Sequence, residues 1–143
     1  MANAYRLESE IAQYPRVVIG DEAIRYLQVT AKQNPRNAKE TFSRNVCQCC
    51  LETVAQDFDG YHIVDYLGPG FRKYGASKLS KADLLPVYEF VKKRAESYRT
   101  AQHKSAENTK LAFRYSMLLD YFEKKLPLWD APLEEDRGCV PTL

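Results

Sequence analysis

Around Gly68-Pro69-Gly70 the apolar residues change their period, and that change sets the fold classes open to this chain. Before it, short β-branched runs are cut by glycine, proline and aspartate. Beyond Ser77, apolar residues recur at helical spacing through two long stretches. A chain that holds both periods in separate segments belongs to the α+β class. With 143 residues it is long enough to bury a core.

The opening stretch puts Ala4, Leu7, Ile11 and Ala12 at helical spacing, with Arg6, Glu8 and Glu10 on other faces. Tyr14-Pro15 ends that helix, because a residue before proline is pushed out of the α region. Only Met1, Ala2 and Asn3 stand upstream. Either Asn3 caps a shortened helix, or the residues that should precede it are absent. Arg16-Val17-Val18-Ile19, closed by Gly20, predicts a short buried strand. Asp21 is placed to cap a helix running through Glu22, Ile24, Leu27 and Ala31, and Asn34-Pro35-Arg36-Asn37 predicts a loop.

From Val46 to Leu67 the pattern predicts a β-hairpin. Leu51 to Ala55 forms one strand, Tyr61 to Leu67 the other, and Asp57-Phe58-Asp59-Gly60 the turn. Both faces of the second strand are partly apolar, which suits a strand inside a sheet. Further on, Ser80 and Asp83 match a capping box, with Pro86 early enough not to break the helix. Its expected stripe is Leu84, Val87, Val91 and Ala95. A second helix from about Ser105 to Lys125 carries Leu111, Tyr115, Leu118, Leu119 and Phe122, and the short polar link makes the two an antiparallel hairpin. The segment from Pro127 to Leu143, with three prolines and Glu134-Glu135-Asp136, is expected to be loosely held. The expected division is thus 1–70, 71–126 and 127–143.

Composition narrows the function classes. Apolar residues at 45% and charged residues at 28% favour neither disorder nor a membrane class, and no apolar run is long enough for a bilayer. A net charge of +2 does not by itself imply a nucleic-acid partner. Cys47, Cys49 and Cys50 are too crowded for a spaced disulfide framework, so reduced thiols and a cytoplasmic location are expected. On a strand, Cys47 and Cys49 would share one face and Cys50 the other. A structural zinc site wants four convergent ligands, and His62 and His103 lie far off and unpaired.

Asp57 and Asp59 flank a turn glycine, so turn hydrogen bonding explains them better than metal binding. Lys92, Lys93, Arg94 and Arg99 share their helix with Glu89 and Glu96, a solvated face. Tyr98, Phe113, Tyr115, Tyr121 and Phe122 read as helix packing rather than a base-stacking platform. There is no Gly-rich phosphate loop, Ser-His-Asp set or HExxH. Residue by residue, the sequence holds no complete catalytic constellation.

One resemblance adds to this. Ala2-Asn3-Ala4-Tyr5-Arg6-Leu7-Glu8, followed by Ile11-Ala12 and the strand Arg16-Val17-Val18-Ile19, resembles the VNxAxRLE helix and next strand of class III nucleotidyl cyclases. Gln56 to Leu67 is similar to the closing hairpin of bacterial cyclase-like proteins, and Lys110 to Phe122 to the helical tail that some of them append. The family implies a partial ferredoxin-like cyclase-type sheet with helices, followed by a helical hairpin. It also implies conversion of a nucleoside triphosphate to a 3′,5′-cyclic nucleotide and pyrophosphate at the interface of two paired domains. Two aspartates there hold two divalent metals.

Carried over by position, Arg6 falls on the arginine that stabilises phosphate charge. The asparagine position falls on Ala2, and Asn3 sits about 100° round the helix from it. Both metal aspartates belong to the family's N-terminal half, and Asp57 and Asp59 occupy the late hairpin instead. The resemblance therefore implies a truncated or split domain, incomplete alone, that binds no metal itself. Mg or Mn is expected only where a homodimer or a complementary cyclase half completes the site. A nucleoside triphosphate would bind only then, with neither nucleic acid nor membrane as partner. The alternative is a non-catalytic protein-interaction module on a cyclase-like remnant.

Overall fold

The computed structural model describes residues 16–130. These fall into two compact units, residues 17–77 in the first and 78–130, with Arg16, in the second. The class is mixed α+β, mostly helical, with one small antiparallel sheet.

In the first unit the order is β1 (Val18–Ile19), α1 (Asp21–Ala31), α2 (Ala38–Glu52), β2 (Val54–Gln56), β3 (His62–Val64) and α3 (Pro69–Tyr74). The sheet order is β1-β3-β2, with Val18 opposite Ile63 on one side and Ala55 opposite Ile63 on the other. β3 is the inner strand, as its two partly apolar faces require, and Ile63 is buried. Its backbone serves both neighbours: the Val64 N–H donates to the Val17 carbonyl at 2.9 Å, and the Asp65 N–H to that of Thr53 at 2.8 Å. The turn between β2 and β3 places Gly60 at φ 86°, a conformation that glycine adopts without a Cβ clash.

Several sequence expectations need correction here. The run Arg16–Ile19 yields only a two-residue edge strand, with Val17 60% exposed rather than buried. Asp21 is not the cap: Gly20 holds that position, and Asp21 and Glu22 lie in the first turn, where the helix dipole favours their charge. The expected strand over Leu51–Ala55 starts late. α2 runs through Glu52, so the cysteine cluster lies on a helix. The physical reason is a strong N-terminus at the supposed loop: the Asn37 side chain accepts from the Glu40 N–H at 2.9 Å, and Glu40 reaches back to the Arg36 N–H at 2.7 Å. Once nucleated, the helix continues to Thr53, whose N–H bonds the Cys50 carbonyl. The second strand is shorter than Tyr61–Leu67, and Gly68-Pro69-Gly70 is no break, because Pro69 opens α3 at a position where its missing N–H costs nothing.

The second unit is a helical hairpin of α4 (Lys81–Ala101) and α5 (Ala106–Lys125), linked by a 3₁₀ turn over Gln102–Lys104. Tyr88 packs near Phe122 (centroids 6.4 Å) and Tyr98 stacks on Tyr115 (5.3 Å), so early α4 meets late α5 and the pair is antiparallel. Buried Val91 and Ala95 on α4 face Ala112, Leu118 and Phe122 on α5. Tyr88, half-buried, takes the place expected of Val87, which is 48% exposed. The segment expected to be loose from Pro127 instead begins with a 3₁₀ turn, Leu126–Trp129, in which Leu126 and Trp129 are buried. Its remainder, 131–143, lies outside the described residues.

The capping box is present: the Ser80 N–H donates to Asp83 Oδ2 at 2.8 Å and its hydroxyl to the same oxygen at 2.7 Å. These bonds favour the ionised carboxylate and lower the Asp83 pKa. A depressed carboxylate adds stability above its unfolded pKa, and loses it as pH falls through the folded one. Ser80→Ala removes the hydroxyl donor to Asp83 and is expected to lower helicity at neutral pH. Asp83→Asn should flatten the acid limb of helicity followed by circular dichroism; an acid limb identical to the parent's would contradict the box's role.

Candidate functional site

Among the described residues of the first unit, chemistry-bearing groups include three thiols, an open depression and two sets of carboxylates. Cys47, Cys49 and Cys50, none of them in a disulfide, lie on the last turns of α2, with Cys47 buried and the other two half-buried. At about 100° per residue, Cys47 and Cys50 lie about 60° apart on one face, while Cys49 turns elsewhere. This overturns the strand-based pairing of Cys47 with Cys49. Among the described residues, no group of three or more His, Cys, Asp or Glu side chains is placed to hold a metal ion.

Where α3 begins against the end of α2, Glu52, Pro69, Gly70 and Lys73 line an open depression of about 270 Å³. The approach depends on Gly70, since a Cβ there would run into the Glu52 carbonyl oxygen. The Tyr74 hydroxyl donates to Glu52 Oε2 at 2.7 Å, and the Lys73 ammonium lies 5.2 Å from the Tyr74 ring centre. The rim thus offers one carboxylate and one ammonium. Among the described residues of this rim there is no nucleophile paired with a base.

Asp57 and Asp59 serve the hairpin turn, as the sequence suggests. The Phe58 N–H donates to Asp57 Oδ1 at 2.8 Å and the Tyr61 N–H to Asp59 Oδ1 at 3.4 Å. Asp57 and Tyr61 also join through their backbones at 2.9 Å. Sequence reasoning passed over Asp65 and Tyr66. Asp65 is buried directly after β3, its carbonyl accepting from the Gly68 N–H, and a Cβ on Gly68 would collide with its carboxylate. Burial, and then the Asp65 charge, push the Tyr66 phenol up to about 12, so it stays protonated at neutral pH. The signal was available: an aspartate in an otherwise apolar strand, two residues after Ile63, shares its buried face.

In the second unit, Lys92, Lys93, Arg94 and Arg99 ride on α4 with Glu89 and Glu96. The Arg94 guanidinium lies 5.3 Å from the Phe90 ring centre. Tyr98, Tyr115 and Phe122 are packing residues, as expected, whereas Phe113 is 48% exposed and packs less than its type suggests. His62 sits half-buried in β3 and His103 lies exposed in the 3₁₀ link. Ala2, Asn3 and Arg6 lie outside the described residues. No helix of the described residues is long and apolar enough to cross a membrane. Comparison with known protein families, with curated proteins and with solved structures finds no match for this chain.

Proposed function

We propose that this chain contributes the C-terminal half of a nucleotidyl cyclase-like domain, carrying an appended helical hairpin. The observation that supports the reading most is order. The AYRLE segment is followed by strand β1, helix α1 and the antiparallel pair β2–β3, with β3 lying between β1 and β2. That is the succession the resemblance implies, with α2 as an insertion before the hairpin. In this reading the sheet is part of a ferredoxin-like cyclase-type sheet, and Arg6 is the cation for developing phosphate charge. The family's two metal-holding aspartates have no counterpart within these residues, so the Mg or Mn site and the attack of the ribose hydroxyl require a complementary half.

The test is direct. Incubated with ATP, GTP, CTP or UTP and manganese, the isolated chain is expected to form no cyclic nucleotide. Supplied with a segment bearing the two metal aspartates, it is expected to gain cyclase activity that Arg6→Ala abolishes. Robust product from the chain alone would overturn the reading.

A second reading, a non-catalytic interaction module, is favoured by exposed apolar side chains. Tyr26 and Val29 on α1 are 63% and 54% exposed, and Phe42 and Val46 on α2 stand in one stripe, i to i+4, on the solvent side.

A further inference from the structure

We infer that the outer stripe Val87–Phe90–Arg94 of α4 is a docking face for an acidic amphipathic helix of a partner protein. The inference builds on the second reading above, taking the hairpin as the binding element, and it is independent of any cyclase chemistry.

The three residues fall within a wedge of about 60° on the helix surface, roughly 100° round from the buried Val91–Ala95 face. Val87 and Phe90 are 48% and 52% exposed there. Standing at i and i+3, the two present a joined apolar surface rather than a single exposed side chain. The guanidinium of Arg94 lies over its ring, a geometry that holds the cation beside the apolar surface instead of out in solvent. Among the described residues no ion pair engages Lys93 or Arg94, while Lys81 and Lys124 have theirs. Aromatic and arginine anchors side by side are the composition of binding hot spots.

Charge selects the occupant. Residues 78–130 hold eleven lysines and arginines against seven aspartates and glutamates, whereas residues 17–77 hold seven of each. The positive balance therefore belongs to the hairpin, and a partner with carboxylates flanking an apolar ridge complements it. Spacing at i, i+3 and i+7 accepts a ridge of side chains from another helix. Glu89 and Glu96 interrupt the cations of α4, which disfavours a phosphate backbone running along it.

The experiment uses the full chain and a fluorescent peptide of Leu, Ala and Glu, about 18 residues long, with leucines at i, i+3, i+4 and i+7. A counterpart with lysine for each glutamate is the control. Anisotropy should show the acidic peptide binding, and binding weakening as salt rises. Phe90→Ala and Arg94→Glu should each weaken it about tenfold or more. Lys93→Glu is the third variant, and circular dichroism should show parental helicity for all three surface changes. Arg94→Glu should gain affinity for the lysine peptide. Equal binding of both peptides, no binding of the acidic one, indifference to the variants, or preference for a single-stranded oligonucleotide through the same residues would each overturn the proposal. None of these outcomes depends on the cyclic-nucleotide assay.

Discussion

Gly70→Ala is expected to unfold the first unit or leave it barely stable. The added Cβ meets the Glu52 carbonyl oxygen and carbon and then the Thr53 nitrogen, all of them main chain. A side chain in the way can rotate, but the end of α2 cannot move without breaking the cap that leads into β2. The Thr53 N–H and hydroxyl both bond the Cys50 carbonyl, at 3.0 and 2.7 Å. Insertions into tight packing typically cost about 1–3 kcal/mol, and a backbone collision belongs at or above the top of that range. Against a total of about 5–15 kcal/mol for a typical domain, this is a large fraction. Urea unfolding followed by circular dichroism measures it. Gly60→Ala is the control: open space surrounds its Cβ, so only the positive φ opposes it, at about 1–2 kcal/mol. If the Gly70 variant melted with the parent, the close approach of α3 to α2 would be refuted.

Trp129→Ala should be the most damaging single change in the hairpin unit, at about 3–5 kcal/mol. Trp129 is 4% exposed at the end of the 3₁₀ turn that follows α5. Beside it, Lys81 at the start of α4 bonds both oxygens of Asp130, at 2.7 and 2.8 Å. That bridge is partly solvated and closes a geometry that the indole already fixes, so Asp130→Ala is expected to cost no more than about 1 kcal/mol. Comparing the two variants by thermal unfolding separates packing from charge. Equal losses would mean that the bridge holds the turn as firmly as the indole does, against this expectation.

Much of the architecture was legible because its signals are local. Ser80 with Asp83, Ser105 ahead of the second long helix, and Gly60 in its turn each act over three or four residues, where sequence spacing and geometry coincide. The antiparallel hairpin followed from two helical stripes and a short link. What failed were competitions between signals. The run Val46-Cys47-Gln48-Cys49-Cys50-Leu51 is compatible with a strand on its own, yet the Asn37–Glu40 cap nine residues upstream decides for helix. That Asn-x-x-Glu signal starts at the last residue of the Asn34–Asn37 loop and ends three residues beyond it. Val87 and Tyr88 compete for the buried face at adjacent positions, and only the meeting with Phe122 and Glu123 across the hairpin selects Tyr88. Of the site, the turn roles of Asp57 and Asp59 were readable. Asp65 was equally readable from its place two residues after Ile63, but an aspartate is ordinarily exposed and its type outweighed its position.

The three-residue length of β3 has a consequence for assembly. β2 and β3 are joined by a tight turn and can pair as soon as that segment is made, whereas β1 reaches β3 only by closing the long loop through α1 and α2. The entropic cost of that closure falls on one short ladder, so pairing of Val18 with Ile63 waits until the two helices have packed together. The sheet is therefore expected to complete from its hairpin outward, and β1 to show the earliest amide exchange of the three strands.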